Sequence, residues 1–212
     1  MTKTKPTVTI SNGNSKMGYI KSVSLPPIVT CADGCTCAKD CYANKMCKRY
    51  PSVKKSYDKN LAFYLNNPNE YFTQIREQAF TQRYFRWHVS GDIVDYRYFM
   101  EVVWMAYNLA DTEFLIFTKR YDIVNEFLHY DGTLPPNLHV IFSVWEGMKL
   151  DNPHNLPIAF VCKPRKKLTE KHMEAFEDAH TFVCGGNCTE CCMDGVGCFY
   201  ASYGDKIALP KH

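Results

Sequence analysis

Apolar and polar residues follow two rhythms along this chain, and the rhythms take turns. Tyr19–Val23 reads as a strand, stopped by Leu25-Pro26-Pro27. Val53–Leu65 and Glu70–Gln82 carry a helical period, the second with Asn67 or Asn69 near its cap and Pro68 in its early turn. Tyr84–Ser90 alternates at period two and is rich in aromatic residues. Asp95–Ala110 is an amphipathic helix with Phe99, Val102, Val103 and Ala106 on one stripe. Glu113–Thr118 reads as a strand, Asp122–His129 as a helix, Asn137–Val144 as a strand and Ile158–Val161 as a short strand. Thr169–His180 reads as a helix behind a Thr169 cap, Thr181–Val183 as a buried strand, and Lys206–Leu209 as an added edge strand.

Strand and helix in alternation predict the α/β class: mostly parallel strands joined by crossover helices. A complete eightfold barrel takes about 250 residues, and this chain has 212. A partial (β/α) barrel of five or six units is therefore expected, with a flavodoxin-like open sheet as the alternative. Residues 1–180 form its core, including an N-terminal cysteine loop. Residues 181–212 form a cysteine-rich, metal-binding segment packed on the same domain. Polar or glycine-containing stations come after the predicted strands: the first cysteine loop, Ser90-Gly91-Asp92, Thr118-Lys119-Arg120, Ser143 to Glu146, Cys162-Lys163, and Cys184 onward. In parallel α/β folds the loops at the carboxyl ends of the strands share one face and build the active site there. Both cysteine clusters are expected on that face.

Composition narrows the setting. With 46% hydrophobic and 14% aromatic residues, the chain can bury a core without disulfides. The N-terminus lacks the apolar stretch of a signal peptide, and no run approaches the roughly 18 apolar residues of a membrane helix. A cytoplasmic location, with no membrane partner, is the expectation, and there thiols stay reduced. The net charge of +3 neither demands nor excludes nucleic acid.

In that setting the 11 cysteines read as metal ligands or redox groups. Cys31, Cys35, Cys37 and Cys41 form one group, with Cys47 close behind; Cys184, Cys188, Cys191, Cys192 and Cys198 form another, and Cys162 stands apart. The irregular first group suits zinc poorly, because structural zinc uses cysteines two to four apart in each half. An iron–sulfur cluster, larger than one ion, tolerates such a loop. Cys35 and Cys37 flank Thr36 and point apart if the loop is extended, so the favoured ligands are Cys31, Cys37 and Cys41, which leave one position open. Cys35 and Cys47 also read as small buried residues. In the second group Cys184, Cys188, Cys191 and Cys198 close a four-thiolate site, with Cys192 a bystander and glycines permitting a tight wrap. One or two 4Fe-4S clusters are expected, with zinc as the alternative.

Along Tyr84–Ser90, period two puts Phe85, Trp87 and Val89 toward helices and Tyr84, Arg86, His88 and Ser90 into the barrel. The polar set suggests a cavity or a buried ion network; a satisfied structural histidine is the plainer account of His88. Asp92 and Asp95 hold a ligand or cap the next helix, capping being the stronger expectation for Asp95. Lys119-Arg120 at a strand mouth meets a carboxylate or phosphate, or is solvated. Trp145 reads as core, and Lys163-Pro-Arg-Lys-Lys167 as a solvated basic loop.

Several of these stations carry a resemblance. Gly34-Cys35-Thr36-Cys37-Ala-Lys-Asp-Cys41-Tyr42-Ala43, Arg86-Trp87-His88-Val89-Ser90-Gly91-Asp92, Phe117-Thr118-Lys119-Arg120-Tyr121, Leu134-Pro135-Pro136-Asn137-Leu138 and Cys184-Gly-Gly-Asn-Cys188-Thr-Glu-Cys191 resemble the phage and prophage gene product 88 family over most of the chain. The same stations resemble phage proteins of the radical S-adenosylmethionine superfamily. That resemblance implies a three-cysteine 4Fe-4S cluster whose open iron takes S-adenosylmethionine. It places Ser90, Gly91 and Asp92 at the methionine station, Lys119 near the carboxylate and Ser143 near the ribose. The superfamily loop is Cys-x3-Cys-x2-Cys; here three residues separate Cys37 from Cys41, position 44 is Asn44, and that spacing occurs instead at Cys184, Cys188 and Cys191. The loop is either a variant or a scaffold that has lost radical chemistry. The leading expectation is radical or redox chemistry at the first cluster, with the second auxiliary, acting on a substrate with a reductant protein as partner. The alternatives are a non-catalytic iron–sulfur carrier or sensor and a zinc-stabilised nucleic-acid-binding module.

Overall fold

A computed structural model describes residues 5–162 and 180–210. Eight strands form one sheet in the order β1-β2-β3-β4-β5-β6-β8-β7. They are β1 (Ile10–Ser11), β2 (Lys21–Val23), β3 (Tyr84–Trp87), β4 (Glu113–Thr118), β5 (Leu138–Val144), β6 (Ile158–Cys162), β7 (Thr181–Val183) and β8 (Lys206–Pro210). Among these strands only the β1–β2 pair is antiparallel. β1 and β7 are the two edges, so the sheet is open. A doubly wound sheet reverses its order at a switch point; here β2 through β6 lie side by side in chain order. The predicted edge strand Lys206–Leu209 is in fact interior, because β8 inserts between β6 and β7.

Six helices are described: α1 (Tyr42–Arg49), α2 (Pro51–Asn66), α3 (Pro68–Ala79), α4 (Tyr96–Asn108), α5 (Tyr121–Tyr130) and α6 (Cys188–Met193). Pro51 and Pro68 open α2 and α3, where a missing N–H costs nothing. Asp95 caps α4 by accepting from the Tyr98 amide, as predicted. The helix expected over Thr169–His180 and the basic run Lys163–Lys167 lie outside the described residues, apart from His180. Among the described residues, no helix is long and apolar enough to cross a membrane.

Strand periodicity sorts the core into two layers. Val23, Phe85, Trp87, Phe114, Ile116, Leu138, Val140 and Phe142 face one way and pack with α2, α3, α4 and α5. Leu115, Ile141, Ala159 and Ile207 face the other way and meet Met17, Ile20, Cys192 and Phe199. The second face thus carries no α2–α5 helix; loops and the C-terminal cysteine segment cover it. Before β5, the Asn137 side-chain amide lies within hydrogen-bond distance of the Ala106, Leu109 and Thr112 carbonyls. This fixes the Leu-Pro-Pro-Asn turn to the end of α4.

The strand predicted over Tyr84–Ser90 stops at Trp87. Phe85 and Trp87 are fully buried against helices as expected. His88 then takes φ +53°, the left-handed region. That turn reverses the facing of the residues beyond the strand. His88 packs on the helix side against Tyr98, and Val89 joins the opposite layer. His88 therefore does not point into the open face with Arg86.

Candidate functional site

The loop after β2 builds the first site. Thr36–Lys39 forms one turn of 3-10 helix. An extended loop would turn Cys35 and Cys37 apart; this turn brings their Sγ atoms to 2.8 Å. The two thiols therefore lie side by side and do not point apart as in an extended loop. Cys31 Sγ accepts from the Ile28 amide at 3.3 Å, and Cys41 caps α1, its Sγ accepting from the Asn44 amide at 3.5 Å. Thr36 Oγ1 donates to the Glu146 carbonyl at 2.8 Å, holding the loop over the end of β5. Burial pushes the Cys31 thiol up to about 11 and the Cys37 thiol up to about 12, while the Lys119 charge acts against both shifts. Cys35 acts on Cys31 and Cys37, and Cys41 acts on Cys37. Lys119 thus lies within electrostatic reach of Cys31 and Cys37, and Cys35 within reach of both. Cys47 is buried on the inner side of α1, a small core residue.

The strand ends beneath this loop are tied together by Asp92. Its Oδ1 accepts from Thr118 Oγ1 at 2.6 Å and the Ile93 amide at 2.8 Å, and its Oδ2 accepts from the Lys119 amide at 2.8 Å. The Asp92 amide donates to Thr30 Oγ1, which in turn donates to the Pro26 carbonyl. Asp92 is nearly fully buried, and burial raises its pKa against these hydrogen bonds. Gly91 has φ +80°, and a Cβ there would meet Thr30 Oγ1 at 2.7 Å and the Leu25 carbonyl oxygen at 2.8 Å. Only glycine fits this crossing of loops. Ser90 is buried, and its Oγ has no hydrogen-bond partner. Lys119 Nζ donates to Ser143 Oγ at 3.1 Å, and the Tyr121 hydroxyl donates to the Ser143 carbonyl. Arg120 donates to the Ile93 and Val94 carbonyls and pairs with Asp122. Beside this network a cleft of about 400 Å³ is walled by Thr30, Cys31, Asp33, Arg120 and Asp122. The five predicted residues Ser90, Gly91, Asp92, Lys119 and Ser143 thus gather at the ends of β3, β4 and β5. Thr30, Thr118 and Tyr121 complete the network without having been predicted as part of it. Of these, Thr118 carried a signal in the sequence, since it opens the Thr-Lys-Arg station.

The second site lies in the C-terminal segment. Asn187 caps α6 by accepting from the Thr189 and Glu190 amides. Gly185 and Gly197 press on Cys191: a Cβ on either would come within 3.5 Å of its Sγ. Cys184, Cys188 and Cys191 all act on the half-buried Cys198, whose thiol burial pushes up to about 12. Cys192 points into the core, as expected of a bystander. The segment begins at the carboxyl end of β7 but runs back across the open face of the sheet. Phe199 packs edge-on to Tyr84 at 5.0 Å and meets His139, both at the amino ends of their strands. The expectation that the two clusters share the strand-end face therefore holds only for the start of this segment.

Arg86 lies between the two sites. Its side chain projects from β3 onto the open face, with Nη1 at 3.1 Å from Met17 Sδ and the guanidinium 4.7 Å from the centre of the Phe117 ring. Its Nε is buried without a partner. The Arg86 charge opposes the upward shifts of Cys188 and Cys198 on one side and of Tyr42, next to Cys41, on the other. Among the described residues, no carboxylate lies within salt-bridge distance of it. Among the described residues, too, no three His, Cys, Asp or Glu side chains close on one point as ligands of a single ion would.

The family described as Gene product 88 matches residues 1–204. The chain belongs to the gene product 88 family. No curated protein and no solved structure matches it.

Proposed function

We propose that this member of the gene product 88 family is an iron–sulfur protein on a partial (β/α) barrel. One 4Fe-4S cluster would sit in the N-terminal cysteine loop, and an auxiliary one at Cys184, Cys188, Cys191 and Cys198. The observation that supports this most is Arg86. Arg86 is half-buried with its Nε out of reach of water, and a charge so placed favours an anion beside it. No carboxylate of the described residues is in reach, and its charge acts on Cys188 and Cys198 as well as on Tyr42 and His88. Buried thiols are not anions at neutral pH, but metal-bound thiolates are. The donor set therefore fits a group that keeps Cys188 and Cys198 ionised.

At the first site the leading reading is radical-type chemistry on S-adenosylmethionine. A bound iron–sulfur cluster supplies the one-electron chemistry; the chain supplies the ligand's place. Lys119, held beside Ser143 and within electrostatic reach of Cys31 and Cys37, would meet a carboxylate by a charge-assisted hydrogen bond. The unpartnered Ser90 Oγ would offer a second polar contact, and Ser143 Oγ, which accepts from Lys119, a third. Asp92 fixes the strand ends on which such a ligand would rest. A second reading, a non-catalytic electron carrier or sensor, is favoured by the 3-10 turn that sets Cys35 on the same side of the loop as Cys37. If Cys35 joins Cys31, Cys37 and Cys41, four thiolates close the site and no position stays open.

S-adenosylmethionine separates the two. Added to anaerobic, reduced protein, it is expected to change the paramagnetic spectrum of the N-terminal cluster and to yield 5′-deoxyadenosine slowly. Lys119→Ala should weaken its binding by about 1.5–3 kcal/mol, the worth of a hydrogen bond to a charged group. An unchanged spectrum and no nucleoside after hours with a strong reductant would leave the carrier reading.

A further inference from the structure

The modest net charge conceals a segregation. Seven of the chain's 25 lysines and arginines, but only two of its 22 acidic residues, lie between Lys39 and Lys59. Outside that stretch acids outnumber bases. All seven cations are exposed, on the turn before α1, on α1 and on α2 as far as Lys59. Lys45 pairs with Asp40 at 3.7 Å and Lys54 with Asp58 at 2.6 Å. Lys39, Lys48, Arg49, Lys55 and Lys59 have no acidic partner within salt-bridge distance among the described residues.

A solvated helix face is chiefly polar, and this one sets large apolar side chains among its cations. α1 buries Ala43 and Cys47, yet Tyr42, Met46 and the capping Tyr50 stay 57%, 41% and 41% exposed among the cations. The Arg49 guanidinium lies 5.4 Å from the centre of the Tyr50 ring, which holds a charge beside a flat surface. An acidic protein would use the cations and leave the rings idle. A single-stranded polynucleotide uses both, with phosphates on the cations and bases on the rings. The patch also leads to the first site, for Cys41 caps α1 and the Tyr42 hydroxyl donates to the Val89 carbonyl, next to Ser90.

We propose that α1 and the first turns of α2 bind single-stranded nucleic acid and lay it against the N-terminal cysteine site. The binding rests on surface charge and shape alone; only the delivery to the site draws on the metal reading above. Fluorescence anisotropy of labelled dT12 and rU12 on the full chain, at 50 and 200 mM salt, tests it, with labelled polyglutamate of the same length as the control. Saturable binding of at least one oligonucleotide is expected, falling as salt rises by about 0.7 log units per log unit of salt for each phosphate contact. The triple variant Lys48→Gln, Arg49→Gln, Lys55→Gln should bind at least tenfold more weakly at 50 mM salt and lose about two units of that slope. Tyr50→Ala and Met46→Ala keep every charge, and at least one should weaken oligonucleotide binding fivefold or more while leaving polyglutamate unaffected. Comparing dT12 with rU12 shows whether the strand is DNA or RNA. The proposal is overturned if neither oligonucleotide saturates, if the triple variant binds like the parent, or if polyglutamate binds as tightly and neither Tyr50→Ala nor Met46→Ala matters. Metal content, measured on the same samples, reports separately on the cysteine sites.

Discussion

His88 has φ +53°, a backbone angle that few residues other than glycine adopt. The turn carries its ring away from the open face and into the helix layer, where Nε2 lies 3.0 Å from the Tyr98 hydroxyl. Burial, with the Arg86 charge second, drives its pKa from 6.5 down to about 3. The consequence for stability has a definite sign. The native ring stays neutral while the unfolded one takes up a proton below pH 6.5. This stabilising contribution is complete above pH 6.5 and is lost as pH falls toward 3. Chemical denaturation across that window should show stability dropping by up to about 1.4 kcal/mol per pH unit, and His88→Phe should flatten the fall. The same pH dependence in the parent and in His88→Phe would show that His88 takes up its proton in the fold. None of this was legible from the strand's alternation, because the alternation says which face a residue takes only while the strand lasts. Gly91 is the converse case. A glycine in a turn was plain in the sequence, but its reason, contact with Thr30 and Leu25, comes from a distant part of the chain that no local pattern connects to it.

At the scale of elements, β3 does two jobs with its two faces. Phe85 and Trp87 anchor the helix layer, and period two predicted both. Arg86 faces the other way and meets Met17 and the C-terminal cysteines. Its presence on the inner face was legible; its partners were not, since they come from the far ends of the chain. The 3-10 turn at Thr36–Lys39 was likewise hidden, because a Cys-Thr-Cys segment has no strong helical period, and the turn decides that Cys35 and Cys37 face together. If Arg86 balances the thiolates of the second site, Arg86→Gln removes a charged contact worth about 1.5–3 kcal/mol. Metal at that site should then pass to a competing chelator roughly tenfold to a hundredfold more readily, with Arg86→Lys in between. The N-terminal site should hold its metal as in the parent. Equal retention in Arg86→Gln and parent protein would remove the main support for an anionic second site.

At the scale of the molecule, a mostly parallel α/β sheet was readable from alternating strand and helix patterns, and the order of β2 to β6 runs with the chain as expected of successive crossover units. The ends were harder. β8 slips between β6 and β7, a pairing that depends on long-range contact rather than on the residues of Lys206–Pro210 themselves. The same holds for the path of the C-terminal segment across the open face. That path gives the account its shape: one cysteine site at the strand ends, another on the sheet's open face, and Arg86 between them. The most direct test is iron, sulfide and zinc per chain in anaerobically purified protein, measured beside Cys198→Ala. Iron and sulfide near equality, at about eight each for two clusters of four, with about half of both lost in Cys198→Ala, is the predicted result. Stoichiometric zinc without iron in protein from iron-replete cells, or loss of all iron from a folded Cys198→Ala variant, would contradict two separate iron–sulfur sites.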